Sequence, residues 1–397
     1  MTTSEAQNAN ILYNLGHMTD WEGQQTIGII GGGQLGRMLT LAAQPLGFNV
    51  LVINPTPDSP AAQVGAKEIV ADLYDPAALR ALAERADFLT IEIEHLDADA
   101  LEALSDLGKP INPAPKTIRL IQDKLQQKIF LQENDIPVAP FAGVENVTEA
   151  EALLAQFGGK MLLKTRHGAY DGRGNMVVSN TAEIQEAFTR FADSQLYAEQ
   201  FVPFTKELAV MVARGTDGQI AIYPVVETIH ERNICVEVLA PAPVEDDIRE
   251  AAAVLADKVA ELLEGAGMFG IEMFFTEDGQ VLVNEIAPRV HNSGHYTMDA
   301  SRTSQFEQHV RAITGLPLGS TDLLAPAAVM INILGERDGA TKVEGLAEAL
   351  AIPEVSVHLY GKSPTKVDRK MGHINATGQT LQEARERAEA ARKNLKV

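Results

Sequence analysis

Cysteine is almost absent. Cys235 is the only one among 397 residues, which excludes an internal disulfide framework and any cysteine-based metal cluster. Basic residues are also scarce: 33 Lys and Arg against 54 Asp and Glu leave a formal net charge of −21. Nucleic acid and anionic membrane both require a basic face, so neither is expected as a partner. Anionic small molecules need only local cations and stay possible. No apolar run approaches the roughly 18 residues of a membrane span. Residues 1–25 hold neither Lys nor Arg and no apolar stretch of signal length, so a cytoplasmic protein is the expectation. The Walker A pattern G-x-x-x-x-G-K-[ST] is missing altogether. What remains is ordinary for a globular chain, 45% hydrophobic and 22% charged, with length for two or three domains.

The first regular unit follows a polar, irregular stretch over residues 1–25. A buried-strand run at 26–30 leads into GGGQLG at 31–36, a helical pattern at 37–46 and a second strand at 48–53. Gly31, Gly33 and Gly36 satisfy G-x-G-x-x-G, where glycine lets the backbone approach an anion at a helix N-terminus. A dinucleotide site places an acid at the end of the second strand; here Asn54 stands there, which disfavours a nicotinamide oxidoreductase. The loop is better read as part of another small-molecule site. A further unit brings a helix over 76–85 and a strand over 87–94, whose Glu92 and Glu94 alternate to one face. A helix over about 117–134 carries Lys124 and Lys128 on one face, read from periodicity as solvated.

Residues 269–297 form the centre of the functional reading. Asp278-Gly279 between two apolar strands is a strong hairpin signal. Counting outward from that turn sets Thr276 against Val281 and Glu272 against Glu285. Ile271, Met273, Val283 and Ile286 flank them, so two carboxylates face each other on buried strands and repel. A hard divalent cation such as Mg²⁺, its shell completed by phosphates, makes such a pair favourable. The plain alternative is an exposed hairpin edge with two solvated glutamates.

Cations mark the rest. Lys164 ends an apolar strand, and Gly168, Gly172 and Gly174 then surround Tyr170, Asp171 and Arg173 in a flexible turn suited to covering phosphates. Glu199 and Glu207 interrupt apolar strands, as adenine and ribose recognition would require; salt-bridged strand glutamates are the alternative. Lys362, Lys366, Arg369 and Lys370 cluster in a chain short of base, pointing to an anion site or to a solvated surface.

Five ordered runs narrow this further: GIIGGGQLGRM at 28–38, TIEIEH at 90–95, YDGRG at 170–174, NEIAPRVHNSGH at 284–295 and KMGH at 370–373. Together they resemble the N5-carboxyaminoimidazole ribonucleotide synthases of purine biosynthesis, within the ATP-grasp superfamily, over about residues 26–375. The resemblance implies an α/β fold of ATP-grasp architecture. It comprises an N-terminal Rossmann-like parallel-sheet domain (26–125), an ATP-grasp domain of central mixed sheet (126–325, lid about 135–200) and a small C-terminal domain (326–397). It implies ATP and Mg²⁺ as cofactors and ATP, bicarbonate and aminoimidazole ribonucleotide as substrates, in a homodimer. By resemblance, ATP is bound by Lys124, Lys164, Gly168, Ala169, Tyr170, Asp171, Gly172, Arg173, Gly174, Asn175, Glu199, Gln200, Phe201, Val202, Glu207, His230, Asn284 and Glu285. Glu272 and Glu285 hold the metal. Gln34, Leu35, Glu92, Tyr170, Asp171, Arg173, His291, Asn292, Lys362 and Arg369 surround the ribonucleotide. The catalytic set is Lys164, Asp171, Arg173, Arg289 and His291. Ala169 replaces a glycine of many members, and residues 1–25 precede the family's usual start. Carboxyphosphate and carbon dioxide are both lost in water, so residues 166–174 are expected to close as a lid. Two other readings stay open: a related ligase using formate or another carboxylate, and a non-enzymatic nucleotide-binding regulator.

Overall fold

A computed structural model describes residues 23–106, 108–168 and 174–397. Its elements fall into three sheets. The first is parallel, with β1 (Thr26–Ile30), β2 (Asn49–Asn54), β3 (Lys67–Val70) and β4 (Phe88–Ile91) in the order β3-β2-β1-β4. Ile27, Ile29, Val50 and Val52 fill one face, and Ile30, Leu51, Ile53 and Leu89 the other, so the strands read as continuous apolar runs.

The second sheet, in the order β5-β8-β6-β7, is antiparallel: β5 (Phe141–Val144), β6 (Met161–Thr165), β7 (Asn175–Val178) and β8 (Leu196–Gln200). Helices Val147–Gln156 and Thr181–Arg190 pack on it, and both begin with the same device. Asn146 and Asn180 each accept from the amide three residues on, while Glu149 and Glu183 bond back to the amides of Glu145 and Ser179.

The third sheet holds nine strands. It comprises β9 (Phe204–Arg214), β10 (Ile220–Ile222), β11 (Val226–Glu231), β12 (Ile234–Ala240), β13 (Gly267–Thr276), β14 (Val281–Ala287), β15 (Ala327–Leu334), β16 (Val355–Leu359) and β17 (Lys370–Gly378). Their order is β14-β13-β9-β11-β12-β15-β17-β16, with β10 on β9, and every pairing is antiparallel. The last three strands thus extend the central sheet through β12 and β15. Helix Asp246–Leu262 buries Ala252, Ala256 and Val259 against it. No helix among the described residues is long and apolar enough to cross a membrane.

One helix differs from the sequence reading. The stretch expected over 117–134 is two helices, Pro115–Gln122 and Lys124–Glu133. Asp123 leaves the helical region between them and accepts from the amides of Leu125 and Gln126. Asp is a strong N-cap, and the Arg166 guanidinium forks onto the same carboxylate, so the break is fixed from both sides.

Candidate active site

The β13–β14 hairpin sets the geometry. Thr276 pairs with Gln280 across a turn in which Gly279 takes φ +82°, so the connection is longer than two residues and the register near it lies one place off the simple count. Phe275 faces Val281 and Met273 faces Val283. A bulge after Met273 then restores the count, and Glu272 lies opposite Glu285 as expected. The bulge leaves both Asn284 and Glu285 off the core face, while Val283 and Ile286 point into it. This irregularity gathers Glu272, Asn284 and Glu285 on one side of the sheet.

Burial and the neighbouring Glu285 push the Glu272 carboxyl up to about 7, against the pull of His230 and Lys124. Lys124 Nζ lies 2.8 Å from each oxygen of Glu285. Glu207, on β9, lies 2.8 Å from His230 Nδ1. His291 Nε2 stands 3.6 Å from Glu272 Oε1, but burial, with Arg289 and Lys370 nearby, pulls its pKa down to about 3. The imidazole is therefore neutral and this contact is not an ion pair. Arg289 forks onto Glu94, at 2.5 and 3.0 Å, and its Nη1 donates to Val290 O at 3.2 Å. Burial alone would raise that carboxyl, yet the guanidinium holds it at about 2.

Beside this cluster lies a buried triad that corrects the sequence reading. Lys128, expected on a solvated face, is 2% exposed. It lies 3.3 Å from Glu199 Oε2, and Lys164 lies 3.2 Å from Glu199 Oε1. Glu199 is thus enclosed by two cations, as its salt-bridged alternative described. The signal for Lys128 was on the opposing strand: an acid among buried Tyr197 and Ala198 requires a buried counter-cation.

The glycine loop also needs correction. Its helix N-terminus does not stand open to an anion, because Glu92 fills it from β4's end. Gly33 N donates to Oε1 at 2.5 Å and Gly36 N to Oε2 at 2.6 Å. A Cβ on Gly31 would meet Glu92 Cγ at 2.3 Å, and one on Gly33 would meet Oε1 at 2.6 Å. The glycines make room for an internal carboxylate. Leu35 packs into the core, and Gln34 opens the helix Gln34–Ala43.

The remaining expected residues are placed as follows. Asn292 makes a reciprocal amide pair with Asn332, at 3.1 and 2.7 Å. Lys362 donates to Lys370 O at 2.9 Å and adds to the cationic field on Glu92; Arg369 Nη1 donates to Pro364 O. Gln63 Nε2 donates to Gly361 O at 3.0 Å, tying this C-terminal loop to the first sheet's unit. Gln200, Phe201 and Val202 line a cavity of about 390 Å³ against the hairpin turn. A cavity of about 720 Å³, by Arg166, Phe188 and Phe191, contains none of the site's paired acids. Asn175 faces Lys164 across β6–β7, and Gly168 takes φ +74°. Ala169, Tyr170, Asp171, Gly172 and Arg173 lie outside the described residues, and the lid expectation with them. No group of three or more His, Cys, Asp and Glu among the described residues could hold a metal unaided. Two carboxylates and an amide fit Mg²⁺, which takes one or two carboxylates and keeps its other positions for water and phosphate.

Comparison with known proteins gives the family. The ribonucleotide synthetase preATP-grasp domain matches residues 24–122, the ATP-grasp domain 129–306, and the phosphoribosylaminoimidazole carboxylase C-terminal domain 328–387. N5-carboxyaminoimidazole ribonucleotide synthase of Bacillus subtilis is 43% identical over 348 residues, 88% of this chain and 90% of that protein. The chain belongs to the N5-carboxyaminoimidazole ribonucleotide synthase family.

The solved structure of the synthetase from Thermotoga maritima is 46% identical, with a TM-score of 0.85 over 94% of this chain and 99% of that one. The synthase of Aspergillus clavatus, solved with ADP and 5-aminoimidazole ribonucleotide, is 39% identical, with a TM-score of 0.84 over 93% and 97%. The expected α/β ATP-grasp fold is therefore borne out. Fungal relatives called phosphoribosylaminoimidazole carboxylase are longer. The chain covers 68% of the one from Ogataea methanolica, at 49% identity over 91% of this chain, and about two thirds of its Candida albicans counterpart.

Proposed function

We infer that the protein carboxylates 5-aminoimidazole ribonucleotide on its exocyclic amine with bicarbonate and ATP, giving N5-carboxyaminoimidazole ribonucleotide, ADP and phosphate. The observation that carries this reading is the Glu272–Asn284–Glu285 group, gathered by the β14 bulge beside Lys124 and followed at once by Arg289 and His291. The Aspergillus relative solved with ADP and the aminoimidazole ribonucleotide supports the substrate pair.

The chemistry follows from charge. Bicarbonate is a poor acyl donor because hydroxide leaves badly. A bicarbonate oxygen attacks the γ-phosphorus, the β–γ bridge bond breaks and ADP leaves, so carboxyphosphate forms. The amine nitrogen then attacks its carbon, phosphate leaves, and the nitrogen gives up a proton. Lys124 and Lys164, held by Glu285 and Glu199, are the cations placed to neutralise phosphoryl charge. Glu272 and Glu285, with Asn284, would hold Mg²⁺, which when bound would supply charge screening for phosphoryl oxygens. Glu94 fixes Arg289, and His291, held neutral by burial, turns Nε2 toward the carboxylate pair, where a neutral ring N–H can orient a reacting group. Glu207 and His230 lie on the ATP side of this assignment, and Lys362 and Arg369 on the ribonucleotide phosphate side.

The division into units ending near 125 and 325 is also our reading. The parallel sheet of residues 26–91 supports the first boundary; the second cuts a sheet that runs on through β15. A homodimer is proposed as well, and sedimentation of the purified protein tests it.

ADP release measured with each substrate omitted in turn tests the function. Release should need both bicarbonate and the ribonucleotide, and formate should not replace bicarbonate. Equal ADP release without the ribonucleotide, or with formate, overturns the reading.

A further inference from the structure

Gln305 opens the helix Gln305–Thr314 and is fully buried. Its carboxamide is used completely. Oε1 accepts from the His291 amide at 2.9 Å, while Nε2 donates to the His291 carbonyl at 2.7 Å and to His295 Nδ1 at 3.0 Å. One carboxamide supplies two N–H donors, and both are spent here, so His295 Nδ1 accepts and its proton sits on Nε2. The side chain closes on the backbone of His291 as a neighbouring strand would.

The surroundings are cut to admit this arrangement. A Cβ on Gly294 would lie 2.5 Å from Gln305 Oε1, and one on Gly270 would lie 2.7 Å from His291 Cβ. His291 therefore rests directly on β13, two residues from Glu272. Its Nδ1 meets Ser293 Oγ at 3.1 Å, which leaves Nε2 on the side of the carboxylate pair. Gln305 touches neither carboxylate. It governs where the imidazole can stand.

We propose that Gln305 is a positioning residue for the carboxylation step, acting through the backbone of His291. The inference rests on the reading of His291 as a catalytic residue. Gln305→Leu keeps the volume and loses all three bonds. It should lower kcat at least tenfold while KM for ATP stays within about twofold, because the nucleotide cations lie elsewhere.

A double-mutant cycle separates this role from general structural support. If Gln305 acts through His291, then His291→Asn/Gln305→Leu should be no slower than His291→Asn alone, within about threefold. Losses that multiply overturn the proposal. Gln305→Glu supplies a second handle should the leucine variant not fold. Its ionised carboxylate can accept from the His291 amide but gives nothing to the carbonyl or to His295, whereas its protonated form can donate to one of them. Its kcat relative to wild type at the same pH should therefore rise as pH falls, and a flat ratio overturns the proposal. Near-normal turnover in His291→Asn defeats the reading of His291 and this inference together. An inactive His291→Asn beside a fully active Gln305→Leu defeats the inference alone.

Discussion

Replacing Glu285 by Gln separates the catalytic use of the carboxylate pair from its structural effect. Cross-strand partners lie roughly 5 Å apart, so two ionised carboxylates there repel by about 3 kcal/mol at an effective dielectric constant near 20. Lys124, at 2.8 Å from both Glu285 oxygens, more than offsets this with an attraction of about 6 kcal/mol by the same rule. Glu285→Gln removes both terms, which partly cancel and leave a net loss of about 3 kcal/mol, so the melting temperature should fall by no more than about 10 °C. Catalysis has no such cancellation. One of the two carboxylates proposed to hold the metal is gone, and Lys124 loses the carboxylate that anchors it. Loss of one preorganised electrostatic element costs a factor of about 100 or more in turnover, roughly 2.7 kcal/mol. The assay is ADP release at saturating ATP, bicarbonate and ribonucleotide over a Mg²⁺ titration, with a melting curve on the same sample. Near-normal turnover of the folded variant at saturating Mg²⁺ would show that the pair does not serve the metal.

Other expectations follow from the same contacts. Glu272, raised from 4.5 to about 7, holds its proton more tightly in the folded protein. Its contribution to stability is therefore complete below about pH 4.5 and lost as pH rises to about 7. On the proposed metal assignment the pair must be ionised to bind, so apparent Mg²⁺ affinity should climb with pH and level off only above about 7; a flat affinity across that range contradicts the coupling. Lys128→Met leaves Glu199 with one cation in a fully buried site, and should cost about 3–5 kcal/mol by denaturant unfolding. Adding Glu199→Gln should recover much of that loss, and no recovery would mean the triad is not the cause. Lys362→Met should weaken the ribonucleotide by about 2–4 kcal/mol and leave ATP affinity unchanged, both read by calorimetry. Equal weakening of both ligands would place Lys362 outside the phosphate site.

The β-α-β units, the hairpin and the family motifs were legible because each is written in local residue patterns. Asn54 and the glycine spacing, the apolar alternation around Glu272, and Asp278-Gly279 all act over a few positions. The Glu272–Glu285 pairing was reached by a count in which a longer turn and a bulge compensate each other. Nothing local announces that bulge; it appears only once both strands are paired. It is also what brings Asn284 to the side of Glu272 and Glu285. Lys128 was misread for a similar reason. Lys124 and Lys128 share a helix face with Leu125 and Leu131 close by, and only the facing β8 decides that this face is interior. Gln305 gave no signal at all, since Ser304-Gln305 reads simply as a helix start and the partner of Gln305 lies 14 residues back.

The glycine loop shows how one spacing serves two ends, and it yields the last prediction. G-x-G-x-x-G ordinarily opens a helix N-terminus to a ligand phosphate. Here Glu92 supplies the negative charge from within, and its carboxylate takes the amides of Gly33 and Gly36. Burial acts to raise that carboxyl, while the two amides, Lys362 and Arg289 act to lower it. A dinucleotide diphosphate would have to displace a carboxylate held by two short bonds, which is why the motif does not make this chain an oxidoreductase. Glu92→Ala should leave two buried donors unpaired and cost about 1–3 kcal/mol each at most. The emptied N-terminus then has the geometry of an ordinary anion site. Sulfate should raise the melting temperature of Glu92→Ala more than that of the wild type, by occupying the place the carboxylate left. If sulfate raises both equally, the loop amides are not the site of the effect, and Glu92 is not acting as an internal anion.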